Sequence, residues 1–256
     1  MENPDQAAEQ LTELLDDPSP RLDEALLLLS EHLQQKQGVS EAGLQALDQL
    51  AADLLAADST AAEVASLVKG LFVDHHYVGD VENYHNEENS FLDRVIEKRT
   101  GMPISLAALT VTVARRLGTE LHLLGLPGHV VVGIANDPNN FIDAFSGTLL
   151  NRNGLEQRLH SIFGREVPID DEALTPMTTV DVVVRVSNNL MRTWSDQPRK
   201  FDRLLDLRSR LPLPRADQLM LIELAEARAR FDIAARLREA VDPDDVRIDE
   251  LWGRLN

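Results

Sequence analysis

The chain has 256 residues, 43% of them hydrophobic, and its 43 Asp and Glu against 25 Lys and Arg give a formal net charge of −18. That length and apolar content suffice for a sizeable core in one domain or two, while the charge repels phosphate backbones and anionic lipid, which argues against nucleic-acid and membrane partners. With no cysteine there is no disulfide framework, no thiolate metal site and no thiol nucleophile.

The N-terminus, MENPDQAAEQLTELLDD, is acidic where a signal peptide is basic and then apolar, and no run approaches the roughly 18 apolar residues of a membrane span, so a cytoplasmic address is expected. Residues 1–78 read as a helical region packing on a core. Leu22, Leu26, Leu29 and Leu33 share one helix face, Gly38 ends that pattern, and Ser40 with Glu41 opens the next. Leu44, Leu47, Leu50, Leu54 and Leu55 mark a third helix, and Ser59 with Thr60 suits the cap of a fourth. Amphipathic leucine spacing of this kind needs no role beyond packing.

Residues 79–165 change in character. Asn89 or Ser90 is placed to cap a helix carrying Leu92, Val95 and Ile96, which Gly101 stops. Pro103 suits the first turn of another helix, and from Ile104 to Ala114 its only polar side chains are Ser105, Thr110 and Thr112. Such a helix belongs at the centre of a fold. Arg115, Arg116 and Gly118 end it, with the cations well placed for the helix dipole.

Short β-type runs follow in ELHLLGL, HVVVGIA and NFIDAF, with the turn-forming cluster NDPNN at 136–140 between the last two. A hairpin pivoting at Asn136 sets His129 nearly opposite Asp143, because paired antiparallel residues sum to a constant. A carboxylate beside an imidazole fixes its tautomer, as a general base requires, but the same pair also serves as a plain structural bond. His75, His76, His85, Glu87 and Glu88 cluster in sequence without the i, i+4 spacing of a helical zinc motif, so neither a metal nor a cofactor is expected.

Several motifs together carry a resemblance: Asn89 to Leu92, Gly101 to Leu106 (GMPISL), Arg115 to Gly118 (RRLG), Pro127 to His129 (PGH) and Phe141 to Phe145 (FIDAF). The chain resembles the SirB family of bacterial proteins, within the transglutaminase-like superfamily. The resemblance implies an α+β, mostly helical fold. Its papain-like core would hold a central buried helix against a small antiparallel sheet, flanked by helical N- and C-terminal segments. It also implies a triad of cysteine at the helix start, histidine and aspartate. By position these fall on Pro103, His129 and Asp143, so the nucleophile is missing. Tyr84, Asn86 and Asn89 would form the lip of the cleft.

Ser105 lies about 200° round the helix from Pro103 and is expected to face away from His129, its hydroxyl bonding nearby backbone. The segment 166–256 reads as helical hairpins, in which Phe201-Asp202 and Leu207-Arg208 recur 30 residues later as Phe231-Asp232 and Leu237-Arg238. That repeat resembles tetratricopeptide-type pairs, though two packed hairpins explain it equally well.

Two functions follow from this reading. In the favoured one, a catalytically inactive protein binds a peptide or protein partner at Tyr84, Asn89, Pro103, Ser105, His129 and Asp143, in a regulatory association that the resemblance suggests. It predicts a solvent-connected groove beside Pro103 and His129; a fully packed His129 with no opening would leave only the structural role. The alternative is an amide hydrolase or acyl transferase using Ser105, or a water activated by His129, with Asp143.

Overall fold

A computed structural model describes residues 5–58, 60, 62–167, 169 and 174–240. The chain divides into two compact units, Met1–Thr193 and Trp194–Asn256, and together they make the α+β, mostly helical architecture that the sequence implies.

The first unit opens with α1 (Asp5–Leu15), α2 (Leu22–Gln34) and α3 (Val39–Ala57), packed in sequence on one another. Helix α2 is buried on more than one face: Leu26 to Leu29 are all in the core. The start of α3 is not made by Ser40. Its N-cap is Gly38, held at φ +75°, and the Ser40 N–H is bonded instead by the Glu31 carboxylate at 2.8 Å. Leu55 of α3 is exposed, while Leu47, Leu50 and Leu54 are buried.

The fourth helix, α4 (Val64–Val68), starts later than a cap at Thr60 would place it and continues into a π-helical turn, Lys69–Asp74. Thr60 spends its hydroxyl on Asp58 and Ser66, while Ser59 lies outside the described residues.

Two short parallel strands, β1 (Val78–Gly79) and β2 (Thr100–Gly101), bracket a 3-10 turn at Glu87–Ser90 and helix α5 (Leu92–Lys98). Neither Asn89 nor Ser90 caps α5. Its N-cap is Phe91, without a side-chain bond, and it ends at Arg99 in the left-handed region, before Gly101. Asn86 does the capping one turn earlier, accepting from the Glu88 N–H at 3.1 Å.

Pro103 opens α6 (Pro103–Arg116), whose first eleven positions other than Val111, together with Ala114, are all buried. Threonine and valine are indifferent helix formers, so packing decides here: each fully buried Leu or Ile side chain is worth roughly 2 kcal/mol. The helix packs on α2, α3, α5 and α8 (Thr179–Thr193), and on the strands that follow it. Its end is tied down electrostatically. Arg115 and Arg116 reach the fully buried Asp23 of α2 at 2.7 and 2.8 Å, and Arg21 adds a third contact at 3.3 Å.

Four antiparallel strands form a meander: β3 (Leu121–Leu124), β4 (Val131–Ile134), β5 (Asp137–Asp143) and β6 (Thr148–Asn151). Strand alternation puts Phe141 and Asp143 on one face, where Phe141 joins Leu124, Val131 and the Leu155 and Leu159 side chains of α7 (Arg152–Phe163) in one cluster.

In the second unit, α9 (Pro198–Arg208), α10 (Arg215–Ala227) and α11 (Phe231–Ala240) pack around buried Phe201, Leu204, Leu221 and Leu237. The 30-residue repeat is not matched in burial. Phe201 is buried and Phe231 is 67% exposed; Arg208 is buried against Asp217, whereas Arg238 lies at the surface.

Candidate functional site

His129 stands in the loop between β3 and β4. Its N–H donates to the Leu126 carbonyl at 3.2 Å, closing a turn in which Gly128 takes φ +63°. Any other residue at 128 would be strained, and a Cβ there would come within 2.9 Å of the Phe163 ring. The loop is fastened from α8 as well. One nitrogen of Arg185, Nη2, donates to the Leu126 carbonyl at 3.0 Å and to the His129 carbonyl at 2.9 Å.

Asp143 ends β5. The β4–β5 turn is tighter than the NDPNN cluster suggests, at residues 135 and 136, and Asp137 already belongs to β5. Val132 pairs with Ile142 and Gly133 with Phe141, and the register then shifts at Gly133/Ile134 so that Ile134 meets Asp137. His129 is therefore two residues out of register with Asp143, yet it curls back until Nε2 lies 3.2 Å from Oδ1. This is ion-pair distance without the alignment of a hydrogen bond, because neither His129 Nε2 nor Asp143 Oδ2 has a well-aligned partner among the described residues. On its other side Arg158 Nε of α7 lies at ion-pair distance from Asp143 Oδ2, 3.0 Å, and Oδ1 accepts the N–H groups of Phe145 and Ser146 at 3.1 and 3.3 Å.

Burial works to raise the Asp143 carboxyl. The neighbouring His129, then Ser146 and the charge of Arg158, outweigh it and hold the group below the usual carboxylate range. The pair is closed over: His129 is 6% exposed and Asp143 1%. Pro103 is buried as well, so none of these three side chains offers an open face to a ligand.

The remaining sequence candidates separate into three kinds. Ser105 is buried and its hydroxyl has no hydrogen-bond partner among the described residues, so it bonds neither backbone, as expected of it, nor the His129 ring. Asn89 is buried and committed, donating to Asp80 Oδ2 at 3.1 Å and to the Asn83 carbonyl at 2.9 Å, while its own carbonyl accepts the N–H of Met102. It shapes the turn that leads into α6. Tyr84 is half-buried, edge-on to the Phe145 ring at 5.9 Å. Burial raises its hydroxyl pKa, against the opposing charges of Arg185 and Arg192. Among the described residues no three His, Asp or Glu side chains gather in a way that could hold a metal ion, and no helix is long and apolar enough to cross a membrane.

Arg158 and Arg185 were not among the sequence candidates. The spacing of Leu155 and Leu159 on α7 would have suggested a helix lying on the sheet, but no motif marks either arginine.

A central buried helix, a small antiparallel sheet and a buried His–Asp pair at its edge define a transglutaminase-like core. A family model described as the transglutaminase-like superfamily matches residues 41–188, and the chain belongs to that superfamily. A UPF0162 protein of Xylella fastidiosa is 32% identical over 207 residues, covering 75% of this chain and 73% of its own. A UPF0162 protein of Pseudomonas aeruginosa is 23% identical across 94% of this chain and 93% of its own. F-box only protein 21 of Mus musculus shares 38% identity over 56 residues, 22% of this chain and 9% of that much longer protein.

Proposed function

We propose that this chain is a non-catalytic transglutaminase-like protein that binds a peptide or protein segment, in a regulatory association of the SirB kind. One observation carries the reading. Helix α6 opens on buried Pro103, where the superfamily presents its cysteine, and no cysteine exists anywhere in the chain to stand in for it. Loss of a nucleophile from such a site removes several orders of magnitude in rate and leaves binding behind. The closed His129–Asp143–Arg158 cluster supports the non-catalytic part of this reading and runs against binding at Pro103, His129 and Asp143 themselves, since its ion contacts brace the loop, β5 and α7. Binding then falls to the more open rim at Tyr84 and to the helical α9–α11 unit, taken here as a tetratricopeptide-like contact surface.

The test compares wild type with His129→Ala and Ser105→Ala on a panel of peptide amides and on acyl transfer to a fluorescent amine. No turnover above the buffer rate is expected in any of the three. Turnover in wild type that either substitution abolishes would restore the hydrolase or acyl-transferase reading. A peptide array read with all three proteins should show retained binding by each variant that stays folded.

A further inference from the structure

Most arginines of this acidic chain stand against a carboxylate. Arg115 and Arg116 hold Asp23, Arg158 holds Asp143, Arg208 holds Asp217 and Arg228 holds Asp202. Two arginines of α8 differ. Arg185 and Arg192 are two helical turns apart, so they project from the same side of α8, and among the described residues neither has a carboxylate partner. The Glu87–Ser90 turn packs on α8, and Tyr84, just before it, lies within range of both cationic charges.

Arg185 is half-buried, and its two hydrogen bonds to Leu126 and His129 both use Nη2, which leaves Nη1 and Nε for another acceptor. Desolvation, with the like charge of Arg192 working the same way, lowers its pKa. Two cations on one side of a helix, one of them half out of water, are an arrangement that an anion between them would relieve. Tyr84, half-buried just before the turn that packs on α8, carries a hydroxyl that can serve as a neutral donor.

We infer that Arg185, Arg192 and Tyr84 form a carboxylate-binding site beside the His129 loop, which takes a peptide's C-terminal carboxylate or an Asp or Glu side chain. This rests on the peptide-binding reading above and names the chemistry of the bound segment. A planar guanidinium fork matches a carboxylate in shape. The net charge of −18 disfavours a long polyanion at the same place. Because Arg185 also carries the carbonyls of Leu126 and His129, a bound carboxylate would be sensed directly by the loop.

The test is a titration of the 15N-labelled full chain, read at the arginine Nε–Hε signals and the amides of residues 126–130. Four probes are used: N-acetyl-Ala-Ala with a free carboxylate, the same dipeptide as its C-terminal amide, N-acetyl-Ala-Glu amide, and inorganic phosphate. Shifts are expected at Arg185 and Arg192 with one or both carboxylate probes and not with N-acetyl-Ala-Ala amide; which probe succeeds tells a chain terminus from a side chain. Arg192→Gln, an exposed position, should weaken the binding roughly threefold or more and leave the amide spectrum otherwise folded.

Equal shifts with the free and amidated Ala-Ala probes would overturn the carboxylate site and leave the peptide-binding reading standing. Response to phosphate alone would overturn it in favour of a phosphate site. Absence of response to all four would overturn it too. A peptide array negative for wild type would remove the peptide-binding reading itself.

Discussion

Two buried aspartates hold this core together, and they do so differently. Asp23, fully buried at the start of α2, is met by three arginines from two segments, Arg21, Arg115 and Arg116. Asp143, equally deep, is met by an imidazole and one arginine, neither of them well aligned. Burial works to raise both carboxyls, and both are nonetheless held low: Asp23 by its hydrogen bond with Arg116 and the charges of Arg115, Arg116 and Arg21, Asp143 by His129, Ser146 and Arg158. The contrast separates a tight clamp from a looser contact. Asp23 is over-supplied with cations, while Asp143 is held more loosely, by one imidazole and one arginine.

If that contrast is right, the largest loss should come at the clamp. Asp23→Asn removes a fully buried charge shared by three arginines and leaves Arg116, 11% exposed along its side chain, to Asp48; removal of one partner from a buried network costs about 3 kcal/mol or more. Urea unfolding should report that drop, and a loss below about 1 kcal/mol would mean that the arginines relax into solvent. Asp143→Asn should cost less, about 1–2 kcal/mol. The amide oxygen still accepts the N–H groups of Phe145 and Ser146, and Arg158, 37% exposed along its side chain, can turn outward.

Acid sharpens the comparison further. A carboxyl whose folded pKa lies below its unfolded value stabilises the fold fully above the unfolded value, about 3.9, and that contribution is lost as pH falls through the folded pKa. Both aspartates are shifted in that direction. Wild-type urea midpoints should therefore fall steeply below about pH 4, and each Asn variant should fall less steeply than wild type. Unchanged slopes in both variants would show that other carboxylates govern acid unfolding.

Much of this was legible in the chain. A proline followed by a run whose only polar side chains are Ser105, Thr110 and Thr112 favours the start of a buried helix, and α6 begins at Pro103. The hairpin was legible too, but not its register: the irregularity at Gly133/Ile134 leaves His129 two residues out of register with Asp143, and the His129 loop makes up the difference. Arg115 and Arg116 read as dipole-favoured cations at a helix end, whereas their partner Asp23 lies 92 positions away from Arg115 and carries no local signal. Arg158 and Arg185 were illegible for the same reason. Asn89 was misread because an Asn before a helix suggests a cap, when its amide was needed to hold Asp80 and Asn83.

The smallest expected effect lies at Ser105, between the two aspartates in neither network. Its hydroxyl is buried, and burying a hydroxyl without a partner costs free energy that a methyl group does not. Ser105→Ala should therefore leave stability unchanged or raise it by up to about 1 kcal/mol, since the void left by one oxygen is small. A residue poised to act as nucleophile would show the opposite pattern, with its hydroxyl already bonded to the imidazole and stability lost when that bond is removed. A loss of more than about 1 kcal/mol in the urea midpoint analysis would thus place Ser105 in a hydrogen-bonded network after all, and would weaken the assignment of His129 and Asp143 to bracing alone.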